Sequence, residues 1–495
     1  MINFAAPLPW RKSLFVIIAV ASAIALTGIA WLPIEAHEAF VLLAAQHMLD
    51  SGDWVIPYFN SEPHLTKPPL NYWLTMLVSW ISNGGHVEAW HGRLISGLAG
   101  IGMVAMAAYA GRKLFDDSIG LLGAIILATC SGYFYYTHSA RPEVLYAFCC
   151  NLAFMAYLPL RGNTVSVQKQ LLLTYAIWVA FALATLTKGP HVPAILLVAF
   201  VIDQYWQGNS LKQAMLKLRP FSGLILSLLI VMPWWWLLHH RLGGNGLHGT
   251  QLSGSLLTLN MLRLLSPYYL FRPLQLLLPW LLFLPALILL VKKTEYKSQI
   301  KLLLLLIALP ALVLSFGPQK RWYYMLPALL PMSIMLAVAV MTYVRSRPAN
   351  SLLPKLLAGF ALLSALLFII AGCSRWPWGA ERFSQAELAQ SINTYYTSDS
   401  KLVTWEVTPE IYTFYSRRNI GRIYDAADIP PLFGKDSTRN LILILQTQSL
   451  KQLSSVLQAK NLQVTVLGQT KGGDSENVPT TLISIHPSTL STIAP

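Results

Sequence analysis

Apolar runs long enough to cross a hydrocarbon layer recur along most of this chain, and they constrain the fold more than any motif does. A spanning helix needs roughly 20 apolar residues for a layer of about 30 Å, because lipid offers no partner to an unpaired backbone group. Such segments are read at 13–33, 94–111, 118–137, 143–160, 170–187, 190–206, 221–239, 270–291, 302–317, 323–344 and 352–372. The expected fold is mainly α, a polytopic membrane helical bundle of about 11–13 transmembrane helices. Hydrophobic residues make up 55% of the 495 and charged ones 12%, against roughly 25% charged in an ordinary soluble chain. The first run does not read as a cleavable signal, since no small-residue cleavage site precedes the ionisable stretch WLPIEAHE.

A formal charge of +15 raises nucleic acid as a partner, but the basic residues are spread among loops rather than gathered in one patch. Basic cytoplasmic loops are the plainer source. With the N-terminus inside, Arg11–Lys12 and the alternate loops through Arg112, Arg161, Lys212, Lys292–Lys301 and Arg345–Lys355 face the cytoplasm. Nine basic residues then face the other side: Lys67, Arg93, Arg141, Lys188, Arg241, Arg263, Arg272, Lys320 and Arg321. The four cysteines have no metal-ligand spacing and suggest no disulfide framework.

Composition changes beyond residue 372. KLVTWEV, IGRIYD, NLILILQ, LQVTVLG and TTLISI read as short strands, with PEIYTFYSRR and SLKQLSSVLQAK as helices between them. The expected organisation is a transmembrane domain over 1–372, with an external juxtamembrane loop at about 34–92, and a small soluble α/β domain over 373–495. An odd number of spans puts that domain outside the inner membrane, in the periplasm of a Gram-negative cell.

The same topology gathers ionisable residues at the outer surface: Glu35, His37 and Glu38; His64 and Lys67; His138, Arg141 and Glu143; Lys188; Arg272; and Lys320 with Arg321. Ionisable groups at membrane depth are costly and mark substrate paths. Lysines and arginines there suit a phosphate, held by a guanidinium fork or an ammonium point charge. A nearby carboxylate suits deprotonation of an acceptor nucleophile. Each residue also has a plain structural reading. Basic residues at span ends snorkel, Glu143 can be a first-turn helix acid, and Trp10, Trp31, Trp80 and Trp234–Trp236 suit an interfacial belt. Histidines 239, 240 and 248 read as a solvated loop. His37, Glu38, His64 and Glu143 are a conceivable divalent-metal set, although no spacing motif joins them and nothing in the sequence requires the ion.

In order along the chain, MLDSGDWVIPYFN, KPPLNYW, GRLISGLAG, GRKLF, LTKGP, the pairs Pro233–Trp234 and Pro279–Trp280, FRP and KRWYYMLPALLP carry a resemblance over roughly residues 10–345. They resemble the polytopic C-type (GT-C) glycosyltransferases of the protein O-mannosyltransferase and aminoarabinose-transferase kind. The resemblance implies the GT-C fold and transfer of a sugar from a polyprenyl-phosphate carrier, by inverting single displacement, to lipid A, another glycolipid, a polysaccharide or protein. It implies Glu35, His37, Glu38 and Glu143 as candidate catalytic residues, and Lys67, Lys188, Arg272, Lys320 and Arg321 as candidate carrier-phosphate contacts. One departure stands out. Counting back from Trp54, the family's Asp-Glu pair falls on His37 and Glu38, so histidine occupies the usual catalytic Asp position. Three explanations stay open: His37 is itself the base, Glu35 supplies the carboxylate, or the chain binds the carrier without transfer. A lipid-linked sugar flippase is the rival from another class, although no internal repeat is visible.

Overall fold

The computed structural model describes residues 9–60, 62–162, 165–243, 266–292, 296–317, 320–348, 350–375, 378–433, 440–458, 462–473 and 479–487. His248, Arg263 and Lys293 lie outside the described residues. The chain packs as two compact units: Met1–Ala30 with Met48–Pro57 and His64–Cys373, and Trp31–His47 with Tyr58–Pro63 and Ser374–Pro495. This division differs from the expected one in two segments near the N-terminus. Residues 31–47 and 58–63, assigned by sequence order to the membrane part, pack with the C-terminal domain.

The first unit is helical, and every proposed span falls on helical elements. Among the described residues, seven helices are long and apolar enough to cross a membrane, or eight counting the bent pair Asp117–Ala128 and Ser131–Thr137. This is fewer than the 11–13 expected. Trp10–Leu26 has 17 residues and His191–Trp206 has 16. The segment read at 270–291 is broken into Tyr268–Phe271, a 3₁₀ turn Arg272–Leu277 and a 3₁₀ stretch Trp280–Lys292. Hydropathy measures apolar content and not helical continuity. The protein is nonetheless a multi-pass membrane protein.

The 52° bend between Ala128 and Ser131 is satisfied by neighbours. Ser131 donates its N–H to the Leu278 carbonyl at 2.7 Å, and the Trp280 indole donates to Thr129 Oγ1 at 2.9 Å. Such side-chain and backbone partners let a membrane helix break without orphaned polar groups. Close helix approach is set by Gly120: a Cβ there would stand 2.4 Å from the Ala108 carbonyl oxygen. Of the tryptophans assigned to an interfacial belt, Trp80 and Trp236 are exposed, but Trp234 is buried and donates to the Val55 carbonyl at 2.9 Å. His239 and His240 sit in the last turn of the helix Pro220–Arg241, not in a loop.

The second unit carries a five-stranded mixed sheet in the order β4-β3-β5-β7-β6. Its strands are β3 (Lys401–Trp405), β4 (Gly421–Ile423), β5 (Leu441–Gln446), β6 (Leu462–Gly473) and β7 (Pro479–Pro487). Strand β3 runs parallel to β4 and β5, whereas β7 is antiparallel to β5 and β6. The continuous apolar run of β5 follows from cover on both faces. Leu441, Leu443 and Leu445 pack with Leu453 and Leu457 on one side, and Ile442 and Ile444 pack with Leu388, Ile392 and Tyr412 on the other. A short ribbon of β1 (Tyr58–Phe59) and β2 (Glu62–Pro63) belongs to the same unit.

Candidate functional site

Within the first unit, three of the residues singled out from sequence meet in one buried cluster with a fourth. Glu143 opens the helix Glu143–Tyr157 after Pro142, where the helix N-terminus favours an acid. Lys188 is the last residue of the helix Val167–Lys188, where the C-terminus favours a cation. Its ammonium lies 3.0 Å from Glu143 Oε1, with side chains 5% and 4% exposed. Gly189 follows at φ +116, a conformation open to glycine, and lets the chain turn sharply into the helix His191–Trp206. That is the physical content of LTKGP.

Arg141 closes the other side of the carboxylate. Its Nε lies 3.2 Å from Glu143 Oε2 and its Nη2 lies 3.4 Å from Oε1. The loop carrying it is held by its backbone. Asn71 Nδ2 donates to the Ala140 carbonyl at 3.2 Å, and Ser96 Oγ donates to the Arg141 carbonyl at 3.2 Å. Lys67, half-buried in the KPP loop, is close enough for Lys188, Glu143 and Arg141 all to act on its charge. Burial is the main reason its pKa falls to about 8; Lys188 and Arg141 push the same way and Glu143 opposes them. His64 is pushed down to about 4 by burial and by Lys67, and its Nε2 lies 2.8 Å from Thr66 Oγ1.

Aromatic rings complete the cluster. The Arg141 guanidinium stands 4.5 Å from the Tyr323 ring centroid, and the Lys188 ammonium 4.7 Å from that of Tyr324. Cations over ring faces gain from the ring quadrupole, more so when desolvated. The 3₁₀ turn Trp322–Met325 that presents these rings is anchored by tyrosines. Trp322 donates its N–H to Tyr268 Oη at 3.0 Å, and Tyr269 Oη donates to the Arg321 carbonyl at 3.3 Å. Among the described residues the cluster therefore sets three cations against one carboxylate. Three like charges held close together in a largely buried cluster repel one another, so the arrangement favours an anion beside them.

The remaining predicted contacts are placed differently. Arg321 is exposed and Lys320 half-exposed, both beside the tyrosine turn. Arg272 is exposed at the start of its 3₁₀ turn and makes no ion pair among the described residues. Sequence reasoning grouped Arg141 with these residues without giving it a role, and missed Tyr323 and Tyr324. The tandem aromatics in KRWYYM were the available signal, masked by the ordinary abundance of aromatics in membrane helices.

Glu35, His37 and Glu38 lie in the second unit, at the start of the helix Ala36–Ser51. Glu38 is fully buried. Its Oε2 accepts the Glu35 N–H at 3.0 Å, as a third-position acid does in half a capping box, and the Arg382 Nη2 at 3.1 Å. His37 is exposed and Glu35 half-exposed. The metal set considered from sequence is divided, with His37 and Glu38 in one unit and His64 and Glu143 in the other. Among the described residues no three His, Cys, Asp or Glu side chains gather as a metal group.

Known proteins share both sequence and fold with this chain. Residues 66–237 match the family described as dolichyl-phosphate-mannose-protein mannosyltransferase. An undecaprenyl phosphate-alpha-4-amino-4-deoxy-L-arabinose arabinosyl transferase of Pseudomonas savastanoi pv. phaseolicola is 24% identical, over 65% of this chain and 59% of that protein. An uncharacterized protein of Aquifex aeolicus is 29% identical over 41% of this chain and 43% of its own length. These matches thus span less than two thirds of the relatives' lengths. In structure, ArnT from Cupriavidus metallidurans in the apo state superposes with a TM-score of 0.76 at 16% identity, over 98% of this chain and 99% of that one. The same protein bound to undecaprenyl phosphate gives 0.75 at 17% identity, with the same coverage.

Proposed function

Because the chain belongs, in sequence and in fold, to the polytopic C-type glycosyltransferases, we propose that it transfers a sugar from a polyprenyl-phosphate carrier to an acceptor nucleophile. The observation that supports this reading is the buried cluster of Lys67, Arg141 and Lys188 around one carboxylate, under the rings of Tyr323 and Tyr324. A carrier phosphate there is the leaving group. Arg141 offers a planar fork and the lysines offer point charges, and both stabilise negative charge as it develops on the phosphate. The bond between the anomeric carbon and the phosphate oxygen breaks. The acceptor forms the new bond from the opposite face, inverting the centre, and the carrier leaves as its phosphate.

Glu143 then has a role other than base. Its oxygens already accept from Lys188 and Arg141, and a carboxylate so engaged is a poor proton acceptor. It orients the two cations. For the acceptor proton, Glu35 and His37 are the candidate bases that the sequence resemblance offers. A neutral imidazole is a competent base near pH 7, and Glu38 is occupied as a cap and ion-pair partner. The acceptor is read as a glycolipid such as lipid A, a polysaccharide or a protein, met on the outer face of the inner membrane with the second unit in the periplasm. The sugar is a hexose or a pentose.

Two measurements test the proposal together. Mass analysis of envelope lipids and glycans with and without the gene is expected to show loss of one sugar modification. The purified protein is expected to release undecaprenyl phosphate from a sugar-linked carrier, and Lys188→Met to abolish that release. Transport of intact carrier with no cleavage of the sugar–phosphate bond would establish the flippase reading instead.

A further inference from the structure

The start of the helix Ala36–Ser51 is built in an unusual way. Its third-position acid, Glu38, is completely buried, and its Oε2 is shared between the Glu35 N–H at 3.0 Å and Arg382 at 3.1 Å, a residue 344 positions away. The same turn is tied a second time, by the Ile34 N–H donating to Tyr415 Oη at 2.9 Å. It is tied a third time by the ring contact of Trp31 with Phe383, 5.6 Å between centroids. Arg382 is itself placed: its helix begins after Gly379 at φ +78, and its guanidinium lies 5.5 Å from the Trp378 ring. Every one of these partners belongs to the second unit.

A helix cap needs only one short polar side chain. A fully buried carboxylate that spans a cap and an arginine from the far end of the chain does more, since it fixes the angle and register of the turn. From this we infer that Glu38 and Arg382 are positioning residues, an ion pair that holds the turn presenting Glu35 and His37. The inference rests on the reading that one of those two residues activates the acceptor. It makes the C-terminal domain the scaffold of the catalytic turn rather than an appended module. Without the Arg382 guanidinium the buried carboxylate is less well compensated, and the turn it caps loosens.

The test uses the full-length protein in detergent, with amide hydrogen exchange and steady-state transfer measured side by side. Arg382→Met is expected to speed exchange at residues 35–40, and to lower kcat by about ten- to a hundredfold with KM for the carrier within about twofold, as misplacement of a reacting group does. Removing both charges in Glu38→Gln/Arg382→Met leaves no orphan carboxylate and is expected to recover protection relative to Arg382→Met alone. If Arg382→Met does not fold, Glu38→Gln takes its place. It keeps an oxygen for the cap and gives up the charge, and it should lower kcat at unchanged KM. Wild-type exchange and kcat in these variants overturn the inference, as does a change confined to KM. If the wild-type protein transfers no sugar, the functional reading fails separately, and the exchange comparison alone decides whether the pair holds the turn.

Discussion

Lys188→Met is the perturbation that bears most directly on the charged cluster. It removes the ammonium 3.0 Å from Glu143 and 4.7 Å from the Tyr324 ring centroid, at a site 5% exposed, where salt screens little. A buried unit charge about 4 Å from a phosphate oxygen contributes on the order of 4 kcal/mol at an effective dielectric of 20. Lys188 is already partly neutralised by Glu143, and Arg141 relaxes towards the carboxylate in the variant. A net loss of about 2 kcal/mol is therefore the reasonable figure, in the range for one charge-assisted hydrogen bond. That corresponds to roughly 30-fold weaker carrier binding. The assay is equilibrium retention of labelled undecaprenyl phosphate by the purified protein in detergent micelles, with thermal unfolding as the control for folding. Affinity within twofold of wild type, in a folded variant, would refute the assignment of the phosphate to this cluster.

Other consequences can be checked with the same preparations. Glu143→Gln is expected to leave carrier binding intact while kcat falls at least about tenfold with the shape of its pH profile unchanged, because the residue orients cations; loss of one ionisation from the profile would make it the base instead. Carrier affinity should decline as pH rises through about 8, where Lys67 in the empty site gives up its proton. The decline is at most about tenfold per pH unit, ends at the higher pKa of the phosphate-bound lysine, and is absent in Lys67→Met. His37→Ala and Glu35→Gln should separate the two candidate bases: the one that removes the acidic limb of the kcat profile identifies the group that takes the acceptor proton. Gly189→Ala forces an L side chain to φ +116 and should cost about 1–3 kcal/mol in unfolding free energy.

Elements decided by local chemistry were legible in the sequence. All eleven proposed spans fall on helical segments. The strands of the C-terminal domain matched their sequence runs because β-branched alternation and a doubly covered apolar strand are one-dimensional signals. Lys188 and Glu143 could be placed at helix ends because dipole preference and the Gly-Pro turn act over a few residues. The continuity of the spans was not legible. The bend after Ala128 and the 3₁₀ stretch from Trp280 are stabilised by partners as distant as Thr129 and Leu278.

By itself, the sequence determined that this is a membrane protein with an α/β region towards its C-terminal end, and which ionisable residues to weigh as candidates. Only the tertiary structure decided which of them meet. It joined Lys67 and Arg141 to the Lys188–Glu143 pair, and it drew residues 31–47 into the C-terminal unit, where Glu38 finds Arg382. The reason is physical: burial raises the cost of a lone charge whatever its position in the chain, but which opposite charge compensates it depends on packing between segments hundreds of residues apart.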